Sequence, residues 1–237
     1  MDSSITASSL DALTQVYQDI TQNLANVSTV GFKRRLNELR LVQDGTEGSV
    51  LGGTIEVTSV LDLSQGHFVH TGRRLDLALD GSGFFVIETP EGRLYTRNGQ
   101  FNLNGDRQLV DFAGRTVAGS GGPIVLPERT SLQDFHVARD GSVWVKGTSI
   151  GKLQVVEFAS VSDLIPLGNS NFRAAADVEP APASRVTLRQ GFTEAANVNI
   201  VEELVGLIQV TRLYEANFRM LQTLDEQMEQ ILNVAMS

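Results

Sequence analysis

The chain has 237 residues, 41% of them hydrophobic, which suits a core of one large domain or two modest ones and argues against disorder of the whole. Its formal net charge of −9 disfavours a nucleic-acid-binding surface, which needs a concentrated positive field that the short cluster Lys33-Arg34-Arg35 does not supply. With no cysteine present, a disulfide framework, a thiolate metal site and a thiol nucleophile are excluded.

Met1-Asp2-Ser3-Ser4 opens without a basic region and no long apolar stretch follows, so no cleaved secretory signal is expected. No segment approaches the roughly 20 apolar residues of a membrane span, so no membrane insertion is expected either. Leu10, Leu13, Tyr17, Ile20, Leu24 and Val27 alternate at three- and four-residue spacing, which predicts an amphipathic helix with a coiled-coil seam. Ser28, Thr29 and Gly31 are poor helix-interior residues and predict its end near Asn26 to Gly31, with a short helical extension to about Val42. Asp44 to Gly53 is rich in glycine and polar residues and reads as a linker or extended arm.

The period then changes. Leu75, Leu77 and Leu79 alternate with Asp76, Ala78 and Asp80, the pattern of a strand with one wet face. Asp80-Gly81-Ser82-Gly83 turns the chain into the buried-strand run Phe84-Phe85-Val86-Ile87. Thr89-Pro90-Glu91-Gly92 is a second turn, and Asn98-Gly99 is a hairpin signal before Gln100-Phe101-Asn102-Leu103. Closely spaced turns of this kind predict an antiparallel β domain running to about Gly191, with Glu179-Pro180-Ala181-Pro182-Ala183 as an exposed loop.

At the C-terminus Ile200, Leu204, Leu207, Tyr214, Phe218, Leu221, Met228 and Leu232 form a second seam, interrupted by Thr211 and Asp225. The expected fold class is therefore α+β: long N- and C-terminal helices forming a coiled-coil-like module, with an inserted antiparallel all-β domain. The expected divisions are an N-terminal helix over 1–42, a linker or arm over 43–72, the β domain over 73–193 and a C-terminal helix over 194–237. Neither helix can hide its apolar stripe alone, so each needs the other terminus, a neighbouring molecule, or both. The expected assembly interface is the two seams together with Ile208.

No chemistry-bearing constellation stands out. Gly81-Ser82-Gly83 leads into a strand and not a helix, so no helix N-terminus would meet an anion there. His67 and His70 fall on opposite faces of an extended chain, and with His136 they exhaust the histidines, so neither metal nor cofactor is expected. No G-x-S-x-G elbow is present, and the carboxylates alternate with apolar residues or sit in turns, as a solvated face demands; no catalytic residue, small-molecule substrate or enzymatic activity is expected. Trp144 is either a surface anchor for a partner or half-buried packing at a sheet edge, and Asp225 either sets register or faces a watery groove.

Asn23-Leu24-Ala25-Asn26-Val27-Ser28-Thr29-Val30-Gly31-Phe32-Lys33 resembles the N-terminal signature of bacterial flagellar rod and hook proteins. Asn197-Val198-Asn199, Glu202-Glu203-Leu204 and Ile208-Gln209-Val210-Thr211-Arg212-Leu213-Tyr214-Glu215-Ala216-Asn217 are similar to the signature at their other end. Leu75 to Phe85 and Tyr95-Thr96-Arg97-Asn98-Gly99 are similar to the family's central β domain, so the resemblance covers nearly the whole chain in order. The resemblance implies a structural subunit of the basal-body rod, proximal favoured over distal. Such a subunit polymerises through its terminal helices with itself and other rod and hook proteins, passes through the flagellar export apparatus and is located in the periplasmic part of the flagellum. Charge gives a separate expectation: Lys33, Arg34 and Arg35 either meet the acidic last helix of a neighbouring subunit and set axial register, or form a solvated face. The runners-up are a hook-type axial subunit, a secreted β-rich binding module, a cell-wall hydrolase, and a monomer whose terminal helices pair only with each other.

Overall fold

The structure, a computed structural model, describes residues 3–43, 53–176 and 178–235. It divides into two compact units: Met1–Ala25, Arg35–Val60 and Asn199–Ser237 make a helical unit, and Asn26–Arg34 with Leu61–Val198 make a β unit.

In the helical unit, α1 (Ser3–Ala25) and α2 (Ile200–Ala235) accompany a two-stranded sheet of β1 (Arg35–Gln43) and β2 (Gly53–Leu61). The expected fold class fails here, because no long coiled-coil pair forms among the described residues. The helices meet where Gly206 admits Ile20: a Cβ added at Gly206 would lie 3.3 Å from the Ile20 side chain. The inward face of α2 carries Glu203 and Val210, both buried. That face is rotated away from the expected row, of which Ile200, Leu204, Ile208, Tyr214 and Phe218 remain 44–53% exposed. A coiled-coil seam buries successive knobs in a partner's holes, and these are left outside. The period misled because Val201, Val205, Leu213 and Met220 make α2 apolar on several faces at once.

The expected helical extension to about Val42, after Phe32-Lys33-Arg34-Arg35, is the strand β1 instead. Asn23 takes up both the N–H and the C=O of Arg35, which leaves that residue no place in a helical hydrogen-bond ladder. Strand β2 likewise occupies part of the expected linker, and the glycine-rich stretch 44–52 lies outside the described residues.

In the β unit the main antiparallel sheet runs Leu164–Gly168, Asn171–Ala174, Gly92–Thr96, Phe84–Thr89, Thr116–Gly119, Leu109–Val110, Asn102–Leu103. Its strand Phe84–Thr89 is dry on both faces: Phe85 and Ile87 join a cluster with Leu77, Leu79, Phe101 and Phe135, while Phe84 and Val86 join another with Tyr95, Val156 and Phe172. Alternation of side chains across a strand produces this division, and the continuous apolar run Phe84 to Ile87 is its sequence mark. A three-stranded sheet of Phe135–Val137, Ser142–Val145 and Thr148–Lys152 closes the first cluster.

Two local expectations are corrected. The face of Asp76 and Ala78 is not wet; both are buried, and Asp76 pairs with Arg73 at 3.3 Å. Asn98-Gly99 is not a hairpin turn, since Asn102–Leu103 pairs with Leu109–Val110 and not with Gly92–Thr96. Gly99 serves close approach: its carbonyl accepts the Leu77 N–H, and a Cβ there would lie 1.7 Å from the Leu77 carbonyl oxygen. The hairpin turn lies at Thr89 to Gly92, as the sequence indicates.

Candidate functional site

The signature residues cluster at two clasps, one inside each unit, beside the places where the chain passes from one unit to the other. In the helical unit the clasp is built on Asn23, in the last turns of α1. Its Oδ1 accepts the Arg35 N–H (2.8 Å), and its Nδ2 donates to the Arg35 carbonyl (2.9 Å) and to Glu203 Oε2 (3.3 Å). Asn23 and Glu203 are both buried, so each of these bonds replaces water that the groups cannot reach. One turn earlier Asp19 pairs with Arg35 at 3.5 Å. Asn199 starts α2 by accepting the Val201 N–H on its side chain (3.1 Å) and donating to Glu202 (3.0 Å). Asn is a favoured N-cap, and Glu202 and Glu203 in the first turn suit the positive end of the helix dipole.

In the β unit the clasp centres on Glu194. Lys33, fully buried, donates from Nζ to Glu194 Oε1 (2.7 Å) and to the Ser64 carbonyl (2.6 Å). Glu194 Oε1 also accepts the Gly66 N–H (3.0 Å), and Oε2 accepts from Arg97 (3.3 Å). The Glu194 carbonyl takes the Gly31 N–H (2.8 Å). Gly31 sits at φ +68, and a Cβ there would fall 2.5 Å from the Arg97 backbone, so glycine meets both a left-handed turn and a close approach. Asn197 completes the lacing: its Oδ1 accepts the Arg34 N–H (2.7 Å), and its Nδ2 donates to the carbonyls of Asp62 (2.9 Å) and Ser64 (3.1 Å). Residues 31–34, 62–66 and 194–197 are thereby tied to one another.

Two buried cations share one carboxylate in this clasp. Burial pushes the Lys33 ammonium below its ordinary pKa, against the opposing pull of Glu194, and burial lowers Arg97 in the same way. Arg97 gains a further partner in the Phe84 ring, 5.1 Å away. Every charged group here faces inward, so the clasp can hold backbone segments but offers no reactive atom to a substrate.

The structure separates the expected site residues into two groups. Asn23, Gly31 and Lys33 are in the clasps, while Thr29 bonds Asn26 in the turn after α1 (3.1 Å) and Leu24, Val27 and Phe32 are half-buried. Ala25, Arg212, Tyr214 and Glu215 are exposed, as are Tyr17 and the α2 row already described; Leu10, Leu13, Leu207 and Leu221 are half-buried. The side chains of Met228, Leu232 and Asp225 lie outside the described residues. The expectation that Lys33 and Arg35 reach a neighbour is corrected, because Lys33 is spent on Glu194 and Arg35 pairs with Asp19 within the chain. Sequence reasoning missed Glu194 and Arg97 as a pair. Their signal was weak: Glu194 is a lone carboxylate ahead of Ala195-Ala196, and Arg97 sat inside a quoted motif with no role given to it.

Residues 78–145 match the family model described as the flagellar hook protein FlgE/F/G D1 domain, and residues 189–234 match that of the flagellar basal body rod FlgEFG protein C-terminal. Over its length the chain is similar to the flagellar basal-body rod protein FlgG of Buchnera aphidicola subsp. Acyrthosiphon pisum, 33% identical with 96% of each chain covered. It is 32% identical to FlgG of Bacillus subtilis, covering 91% of each. It is also 32% identical to the flagellar basal-body rod protein FlgF of Caulobacter vibrioides, covering 85% of this chain and 84% of that one.

Proposed function

The chain belongs to the family of flagellar basal-body rod proteins, of the FlgG/FlgF type, and from that premise we propose how it builds the rod. As a member of that family it is a structural subunit of the flagellar basal body that assembles with other axial proteins, and not an enzyme. The proposed mechanism is polymerisation through the terminal helices, with copies of this chain among the neighbours, in the periplasmic part of the flagellum at the proximal end of the rod. Delivery is through the flagellar export apparatus.

One observation carries this reading: α2 leaves five large apolar side chains of its expected interface about half exposed along a single helix, whereas the exposed apolar residues of the β unit, Phe112 and Leu132 among them, are scattered over separate strands and turns. Burial from full exposure contributes about 1.5–3 kcal/mol per side chain and from half exposure about half of that, so a neighbour that covers several gains enough to offset the cost of ordering and docking. A contact between different patches on successive copies continues as a helical stack, whereas a self-complementary patch would stop at a dimer. The clasps supply the second requirement of a drive shaft, which is stiffness. Within each unit, the segments that lead to the other are held by hydrogen bonds and ion pairs and are not left as free loops.

Electron microscopy of basal bodies from a deletion strain, beside its complemented parent, tests the reading. A rod missing or truncated near its proximal end is expected. Intact basal bodies in the deletion strain would overturn it, and truncation only near the hook would move the subunit to the distal rod.

A further inference from the structure

Within the helical unit, α1 and α2 enclose a notch of about 280 Å³ lined by Thr14, Tyr17, Val210, Thr211 and Tyr214. Val210 is buried, and Tyr17 and Tyr214 stand half exposed on either side. The two threonines do not make the notch polar, because each hydroxyl is already spent on its own helix: Thr14 donates to the Leu10 carbonyl and Thr211 to that of Leu207, both at 2.8 Å. A dry notch of this size is smaller than the roughly 300–1,000 Å³ of small-molecule sites and suits one large apolar side chain between two aromatic rings.

Phe218 is such a side chain. It lies 52% exposed on α2, one turn beyond Tyr214, and does not line the notch of its own chain. We propose that the notch receives Phe218 of a second copy of this chain, a knob-and-socket contact that repeats from subunit to subunit; it rests on the rod reading above. Socket and knob are different places on one rigid helix, so filling the socket of one copy leaves that copy's own Phe218 free for the next. That asymmetry is what an open stack requires and a closed dimer lacks. Charge agrees with the pairing: exposed Arg219 follows the knob in sequence, and exposed Asp11 lies one helical turn before Thr14 of the socket. Edge-to-face packing of Phe218 on either tyrosine contributes beyond burial alone.

The test places the photoreactive residue benzoylphenylalanine at Phe218, which preserves an aromatic knob, in a flagellated strain whose basal bodies are then irradiated and isolated. The expected product is a dimer of this chain in which position 218 is bonded to the segments bearing Thr14 and Tyr17 or Val210 to Tyr214. Adducts joining 218 to 218, adducts to a different axial protein, or no adduct in basal bodies that contain the chain would each overturn the socket while leaving the rod assignment intact. Absence of the chain from wild-type basal bodies would instead remove the rod reading. A charge exchange checks the same contact without the probe. Arg219→Asp and Asp11→Arg should each lower rod incorporation about fivefold, as expected for roughly 1 kcal/mol per contact, and the two together should restore it. A double variant no better than either single one would overturn the proposal.

Discussion

The β unit and the helical unit treat their apolar residues in opposite ways. Phe84 to Ile87 are buried on both faces of their strand, Phe85 and Ile87 under Leu77, Leu79, Phe101 and Phe135, and Phe84 and Val86 under Tyr95, Val156 and Phe172, so the interior of the β unit is filled by its own chain even though isolated apolar side chains such as Phe112 stay at its surface. On α2 most of the large apolar residues described stay at the surface, Val210 being buried, and among the charged side chains described there it is Glu203 that turns inward. An interior that is finished and a helix face that is unfinished are what a subunit needs if it is to be stable before assembly yet bind strongly once delivered.

That contrast can be broken at several strengths. Glu194→Gln should have the largest effect, removing the carboxylate from two buried cations at a cost of about 3–5 kcal/mol to the β unit. Urea unfolding followed through the fluorescence of Trp144, the sole tryptophan and part of the β unit, reads the loss directly. Phe85→Ala should fall in the same range, about 3–5 kcal/mol, through cavity formation. Asn23→Ala should cost about 1–3 kcal/mol in the helical unit by taking a partner from buried Glu203 and from the partly buried backbone groups of Arg35, read as a lowered midpoint in far-ultraviolet circular dichroism. Phe218→Ala should change the stability of the free chain by no more than about 0.5 kcal/mol. The same substitution should nonetheless sharply reduce its recovery in basal bodies, which separates the unfinished face from the finished core.

The smallest effect concerns pH. Burial holds the folded-state pKa of Lys33 below its ordinary 10.5, so between the two values the unfolded chain binds more protons and folding gains as pH rises. Stability relative to Lys33→Met should therefore grow as pH rises toward 10.5. A relative loss over that window would mean that Glu194 outweighs burial.

Much of the β unit was legible because a strand's pattern is local. The run Phe84 to Ile87 marked a doubly covered strand, and Thr89 to Gly92 marked its hairpin. What failed depended on distant residues. Asn98-Gly99 has the composition of a hairpin, yet Gly99 is needed for close contact with Leu77, 22 positions back in the sequence. Residues 35–43 have no helix breaker, and the strand follows from distant partners: the grip of Asn23 on Arg35 and pairing with Gly53–Leu61. On α2 the residues favoured several helical faces equally, and the choice fell to Gly206, where the absence of a side chain admits Ile20. The signature around Asn23, Gly31 and Lys33 was visible as a motif. Its role was not, because Glu194, Arg97 and Asn197 complete it from far along the chain.

Amide hydrogen exchange on the free chain and on the same chain in isolated basal bodies tests the central claim most directly. The account predicts that residues 84–89 are equally protected in both, whereas 200–220 are less protected than 84–89 in the free chain and gain protection in the rod. Strong protection of 200–220 in the dilute free chain, or none in the rod, would contradict it.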